Sequence, residues 1–287
     1  MVLGAGLGTR LRPITDACPK PLVPVGDRSV LAHAAGVLRR AGATRLVVNG
    51  YHLRAAVQAA AEALGVAVSV EDDLLGTAGG VAMARGLLGD GDLVVWNGDV
   101  VGDVDVAGLV KGHGEGGAEA TLVVMPRDGT AGNVGLDGHG RVVRLRRESF
   151  GPEVRSADFA CVHVLGGALR AALPARGCLV GDVYIPAMKR GATLRAVDHV
   201  GAWHDIGGLP AYLDANLAWL RARSLSSWVA PSARVDPEVR LDGTVVGEGA
   251  SVVGSGTLTR SVVWPGATAV APLEDAVVMA DRVVRRS

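Results

Sequence analysis

With 287 residues, 29 basic and 29 acidic side chains, the chain can bury a substantial core in one large domain, or in a large and a small one, and its balanced charge excludes bulk attraction to nucleic acid or to an anionic membrane surface. No apolar run approaches the ~20 residues that span a bilayer, and Met1 to Gly8 lacks a signal-peptide pattern, so a soluble cytoplasmic protein with no membrane partner is expected. Cys18, Cys161 and Cys178 are far apart with no C-x-x-C spacing, which suggests neither a disulfide framework nor a zinc site.

The first element is a strand-like start followed by Leu3-Gly-Ala-Gly-Leu-Gly-Thr-Arg10. Gly4, Gly6 and Gly8 let backbone N–H groups approach an anion closely, and Arg10 and Lys20 add positive charge. Only Lys20, Lys111 and Lys189 are lysines, so the one inside this segment stands out. A P-loop would end in Gly-Lys-Ser/Thr, which is missing. A dinucleotide-binding unit would run straight into a helix, which Pro13, Pro19, Pro21 and Pro24 forbid. The segment reads as a long ordered phosphate cradle.

Strand-like runs then alternate with Ala-rich amphipathic stretches. The strands fall at residues 46–50, 66–71, 92–99 and 121–126, and the helices at 29–41, 53–64 and 78–88. This alternation implies an α/β fold with a mostly parallel sheet covered on both faces. Asp99 ends the run DLVVWNGD, where open α/β sheets place ligand residues. Residues 133–146, with Asp137-Gly138 and Gly140 at their centre, read as a hairpin. A helix is expected over 211–223, after Gly208-Leu-Pro.

From Val229 the pattern changes. Apolar residues recur every sixth position at Val229, Val235 and Leu241, then, after a one-residue slip, at Val246, Val252, Leu258, Trp264 and Val270. A six-residue period marks a parallel β-helix, with three hexads to a coil. All seven histidines precede residue 205, so the tail lacks the base that hexapeptide acyltransferases use. Packing or homo-oligomerisation is its expected role.

The segments G-x-G-T-R-L-R-P-x-T and P-K-P-L-V-P-V, with Leu75-Gly-Thr-Ala-Gly-Gly80, Asn97-Gly-Asp99, Gly181-Asp-Val-Tyr-Ile-Pro186 and Trp203-His-Asp-Ile-Gly207, resemble the nucleoside-diphosphate-sugar pyrophosphorylases, the sugar-1-phosphate nucleotidyltransferases. The hexad tail is similar to that of the mannose-1-phosphate guanylyltransferases. The resemblance implies a Rossmann-like, GT-A-like nucleotidyltransferase domain over residues 1–224 and a short left-handed β-helix over 225–287. It implies that Leu3, Gly4, Gly6, Gly8 and Thr9 wrap the triphosphate, and that Glu71, Gly76, Thr77 and Gly79 meet the nucleoside. Arg10 and Lys20 would offset charge on the α-phosphate and departing pyrophosphate. Asp99 and Asp205 would hold Mg²⁺, and Asp99, Gly132, Glu148 and Asp182 would stand near the sugar.

Two departures are visible. Many members carry Glu-Lys-Pro after the hairpin, where this chain reads Arg146-Arg-Glu-Ser-Phe150, and Ala160-Cys161 stands where the family has a glycine. The expected reaction joins a nucleoside triphosphate, GTP favoured, to a sugar 1-phosphate, mannose 1-phosphate or a related sugar favoured. Uridylyl or thymidylyl transfer, or a non-catalytic nucleotide-sugar-binding homologue, are the alternatives.

Overall fold

The computed structural model describes residues 1–128 and 132–286. They form two compact units, one of residues 1–7 and 31–203, the other of residues 8–30 and from 204 onward. The hexad tail lies wholly within the second. No helix among the described residues is long and apolar enough to cross a membrane.

The first unit is built on a ten-stranded mixed sheet. The short strand Val2–Leu3 lies between Leu93–Asn97 and Val47–Gly50 and runs parallel to both, and Ala67–Val70 continues the parallel set. These strands are short apolar runs, and all four residues of Val47–Gly50 are buried, as a sheet covered on both faces requires. Beyond Leu93–Asn97 the sheet turns antiparallel through the long strand Arg155–Leu165, which also pairs with Val134–Leu136 and Ala120–Arg127. The hairpin read from Asp137-Gly138 is present, as Val134–Leu136 against Val142–Leu145.

Helices follow ordinary local rules. Arg54–Ala63 buries Val57 and Ala61, four residues apart on one face. Val106–Gly116 is capped by Asp105, whose carboxylate accepts from the Gly108 N–H at 2.9 Å, and ends at Gly117 with φ 60°, the left-handed stop that glycine supplies.

Pairing of Arg155–Leu165 with Ala120–Arg127 slips register between Phe159 and His163. Cys161 inside that slip has φ 59°. The bulge re-aims the strand at the point where the sequence departs from glycine.

In the second unit the tail strands pair in parallel, as a β-helix requires. Trp228 pairs with Val245 and Val245 with Val262, a step of 17 residues and one short of three hexads. The slip seen once in the sequence therefore recurs at a corner where Gly243, Arg260 and Asp275 have φ of 60°, 44° and 48°, and the last step, Val262 to Val277, is shorter still at 15 residues. Its consequence corrects the expected hexads. After Leu258 the inward positions are Val263 (0% exposed) and Ala269 (1%), whereas Val270 is 64% exposed. Trp264 instead donates from Nε1 to the Tyr212 hydroxyl at 3.0 Å, and that hydroxyl donates to the Pro24 carbonyl at 2.7 Å.

This register gives a direct test by urea unfolding. Val263→Asp, which buries an unpaired carboxylate in the coil, is expected to cost at least about 3 kcal/mol, while Val270→Asp is expected to change stability by less than about 0.5 kcal/mol. A strict six-residue repeat predicts the reverse order of damage.

Candidate functional site

In the first unit the four parallel strands bring their C-terminal ends together. Leu3 pairs with Asn97, and the Gly98 N–H donates to the Leu3 carbonyl at 2.9 Å. The glycine loop that begins at Gly4 and the Gly98-Asp99 turn therefore leave the sheet side by side, and the turn is pinned by Trp96 Nε1 donating to the Val100 carbonyl at 2.9 Å. Asp99 is half-buried there, and Gly6 is exposed, with nothing within 4 Å of where a Cβ would stand.

The start of the loop is fixed by a buried network. The Gly4 N–H donates to Asn49 Oδ1 at 2.7 Å, Asn49 Nδ2 donates to Glu71 Oε1 at 2.5 Å, and Glu71 Oε2 accepts from the Leu75 N–H at 3.1 Å. Asn49 and Glu71 are 2% and 1% exposed. Glu71 thus orders the loop and the approach to the helix Gly76–Met83. Gly76 has φ 74°, a conformation that suits glycine. A Cβ on Gly79 would stand 2.5 Å from the Ala175 carbonyl, so this glycine also serves close packing. The Thr77 hydroxyl accepts from the Leu179 N–H at 2.8 Å.

A cavity of about 320 Å³ opens beside Leu3, Thr77 and Asn97 and extends to Asn133, Arg146, Phe159, Cys161, His163 and Cys178. Arg146, at the left-handed φ of 57°, donates from Nη2 to Cys178 Sγ at 3.2 Å. His163 is 2% exposed, and neither ring nitrogen has a hydrogen-bond partner among the described residues. It lies 5.4 Å from Phe159 and 5.6 Å, edge-on, from Tyr184. Burial pushes its pKa down to about 3, so the ring is neutral and offers one donor and one acceptor. An unsatisfied buried polar group costs about 1–3 kcal/mol.

The expected sugar residues are arranged unevenly around this cavity. Asp182 accepts from the Cys178 N–H at 2.6 Å. Gly132 is buried, with its N–H donating to Ser156 Oγ at 2.8 Å and its carbonyl accepting from Arg144 Nη2 at 3.0 Å. Glu148 lies on an exposed edge strand, 3.0 Å from Lys189 Nζ, and is not among the cavity's lining residues. Arg146, two residues earlier, lines it instead. Asn97 belongs to the Asn97-Gly-Asp99 segment already noted, whereas the sequence assigns no site role to Asn133, His163 and Cys178, because no local spacing announces one.

In the second unit, Gly8 takes φ 61° at the start of the turn Thr9–Leu11, and Thr15 Oγ1 donates to its carbonyl at 2.8 Å. Thr9 and Arg10 are exposed. The Arg10 guanidinium lies against Gly207, where a Cβ would stand 3.0 Å from Nη1. Lys20 Nζ is 3.9 Å from Asp205 Oδ1, with the lysine side chain 11% exposed. Two cations and one carboxylate of the expected set thus share this region. The loop that carries Lys20 is held by the Gly26 N–H donating to Asn216 Oδ1 at 2.8 Å and by the Pro24–Tyr212–Trp264 relay described above.

No cluster of three or more His, Cys, Asp or Glu side chains occurs among the described residues. A cation held by Asp99 or Asp205 would take its other ligands from water and substrate phosphate. That habit belongs to Mg²⁺, and carboxylate oxygens suit it.

A family described as nucleotidyl transferase matches residues 1–146, just over half of the chain. A mannose-1-phosphate guanylyltransferase of Mycobacterium tuberculosis is 29% identical over 286 residues, covering 93% of this chain and 79% of that protein. A UTP–glucose-1-phosphate uridylyltransferase of Synechocystis is 28% identical over 262 residues, covering 83% of this chain and 67% of that protein. The crystal structure of HddC from Yersinia pseudotuberculosis is similar in fold, with a TM-score of 0.64 at 19% identity, over 76% of this chain and 97% of that one.

His163 gives the site a pH signature. Its native pKa is depressed from 6.5 to about 3, so the unfolded chain takes up a proton that the native ring refuses, and stability falls as pH drops below about 6.5. The expected loss is up to about 1.4 kcal/mol per pH unit. His163→Phe should remove that component, so urea unfolding at pH 7, 6 and 5 should show parent and variant diverging toward acid; parallel curves would place the imidazole in a protonatable environment.

Proposed function

The chain belongs to the nucleotidyl transferase family, and we propose that, as a sugar-1-phosphate nucleotidyltransferase, it favours GTP and mannose 1-phosphate or a related sugar. The observation that carries the reading is the register of Leu3 against Asn97, because it sends the glycine loop and the Asp99 turn out of one sheet edge together. An anion-binding backbone beside a carboxylate suits a metal-bound triphosphate. The guanylyl preference is supported by the guanylyltransferase relative, whose similarity is long enough to take in most of the hexad tail. Uridylyl transfer is the second reading, favoured by the uridylyltransferase relative at nearly equal identity.

The proposed chemistry is an in-line displacement at the α-phosphorus. A phosphate oxygen of the sugar 1-phosphate is already ionised at neutral pH, so the reaction needs no general base. The P–O bond to the pyrophosphate leaving group breaks as the new one forms. Arg10 and Lys20 offset the charge that develops on the α-phosphate and the departing pyrophosphate. Asp99 and Asp205 are the carboxylates proposed to hold Mg²⁺, which when bound neutralises phosphate charge. The neutral His163 ring and the Arg146 guanidinium are the groups of the cavity that suit a sugar hydroxyl and an anionic phosphate.

Pyrophosphate release, measured with each nucleoside triphosphate against a panel of sugar 1-phosphates with Mg²⁺ and then with excess chelator, should give metal-dependent turnover, greatest for the guanylyl–mannosyl pair. Asp99→Asn is expected to lower that turnover by at least about 100-fold with an unchanged unfolding midpoint. Turnover near the parent level would remove Asp99 from the metal site, and silence across the panel with nucleotide still bound would favour the non-catalytic homologue.

A further inference from the structure

The cavity that holds the unpartnered imidazole also presents two of the three cysteines, Cys161 and Cys178. They are held differently. Cys161 sits on the strand bulge, its thiol 3.8 Å from the Phe159 carbonyl. Cys178 is half-buried, and its sulfur accepts from the Arg146 guanidinium at 3.2 Å. Cys18, in the second unit, is the third.

We propose that Cys178 is a covalent modification site, a nucleophilic sulfur in the cavity wall, paired with Arg146, that takes small electrophiles of the hydroperoxide and alkylating classes. The cavity lined by Cys178 and Arg146 lets such a molecule reach the sulfur, and the guanidinium 3.2 Å away is placed to hold a polar or anionic electrophile beside it. Guanidinium pairing favours the thiolate, which is the reactive form.

The charged and titratable groups around Cys178 act in both directions. Burial opposes ionisation, but the Gly181 and Val180 N–H groups and the Arg146 guanidinium hold the thiol below its ordinary range. Asp182, whose carboxylate accepts the Cys178 N–H, adds a negative charge nearby. His163 and Tyr184 face it as neutral rings, because burial lowers the imidazole's pKa and raises the phenol's. Cys18 provides an internal contrast, since burial pushes its thiol up to about 12.

With a hydroperoxide the step balances simply. The sulfur attacks one peroxide oxygen, an S–O bond forms and the O–O bond breaks, and the other oxygen leaves as an alkoxide or hydroxide that takes a proton from water. The sulfur is oxidised by two electrons to a sulfenic acid and the peroxide is reduced. With an alkylating agent an S–C bond forms and halide leaves. Either addition places new atoms in the cavity and alters the sulfur that Arg146 meets. That addition at Cys178 would exclude sugar 1-phosphate rests on the proposed function of this cavity.

The test is competitive alkylation of the intact protein with limiting iodoacetamide from pH 5 to 9, with each cysteine peptide quantified by mass spectrometry and sulfenic acid trapped by dimedone after hydroperoxide. Cys178 is expected to react at least about tenfold faster than Cys18 at pH 7, with a rate midpoint below that of a free thiol, and to carry the dimedone adduct. Arg146→Gln should move the midpoint upward and slow labelling several-fold. Labelling of Cys178 no faster than that of Cys18 and Cys161 in the parent protein, or a midpoint at the free-thiol value, overturns the proposal without any variant. Protection by mannose 1-phosphate reads the cavity separately: a reactive Cys178 that the sugar phosphate leaves unprotected keeps the modification site and removes the sugar from this cavity.

Discussion

Glu71 is a carboxylate with 1% exposure, and the arrangement of the first unit depends on how its two oxygens are used. One accepts from Asn49 and the other from the Leu75 N–H, while Asn49 turns its own oxygen to the Gly4 N–H. A buried polar group left without partners is costly, and a fully satisfied network fixes a single geometry. Through three hydrogen bonds, two of them made by Glu71 and one by Asn49, this pair ties together the ends of three parallel strands and the approach to a helix. Such a network cannot relax one member at a time. Removing Asn49 would orphan one carboxylate oxygen and a backbone N–H together.

The second unit uses a different device for the same end. The segment bearing Lys20 forms only short elements among its prolines, the turn Lys20–Leu22 and the strand Pro24–Val25, and it borrows order from the helix Leu209–Arg221 through Asn216 and Tyr212. Trp264 of the tail then holds the Tyr212 hydroxyl. Against Gly26, where a Cβ would stand 2.1 Å from the Trp219 ring, only glycine fits. One hydrogen bond thus joins the tail, by way of this helix, to the loop that carries Lys20.

Much of this was legible in the sequence wherever the signal is local. The parallel strands, the hairpin at Asp137-Gly138 and the helix after Gly208 follow from periodicity and turn chemistry, which act over a few residues. The glycine loop after the first strand and the turn at Gly98-Asp99 stand where local signals put them, at strand ends. What escaped is non-local. Nothing in the neighbourhood of His163 tells that Tyr184 and Phe159 will enclose it, and nothing near Cys178 tells that a hairpin arginine 32 residues away will reach its sulfur. The hexad reading failed at Trp264 because a periodic template was carried past a corner. The left-handed residue at Arg260 consumes one position there without contributing a wall, and an L-residue with that φ cannot be foreseen from hydropathy.

The corner residue has a consequence for how the tail can change in length. The coils pair through backbone hydrogen bonds at a step of 17 residues, or of 15 in the last one, where the register shift between Gly254 and Leu258 takes up the difference and Val277 and Val278 stay buried. A change in length is therefore absorbed either as a whole coil, bringing its own residue of positive φ at the corner, or as a short loss along one wall that leaves the corner in place, as between Arg260 and Asp275. The antiparallel return of Val283–Arg285 along Ala276–Val278 covers the last parallel edge, so new coils would be accommodated by insertion within the stack and not by addition beyond it.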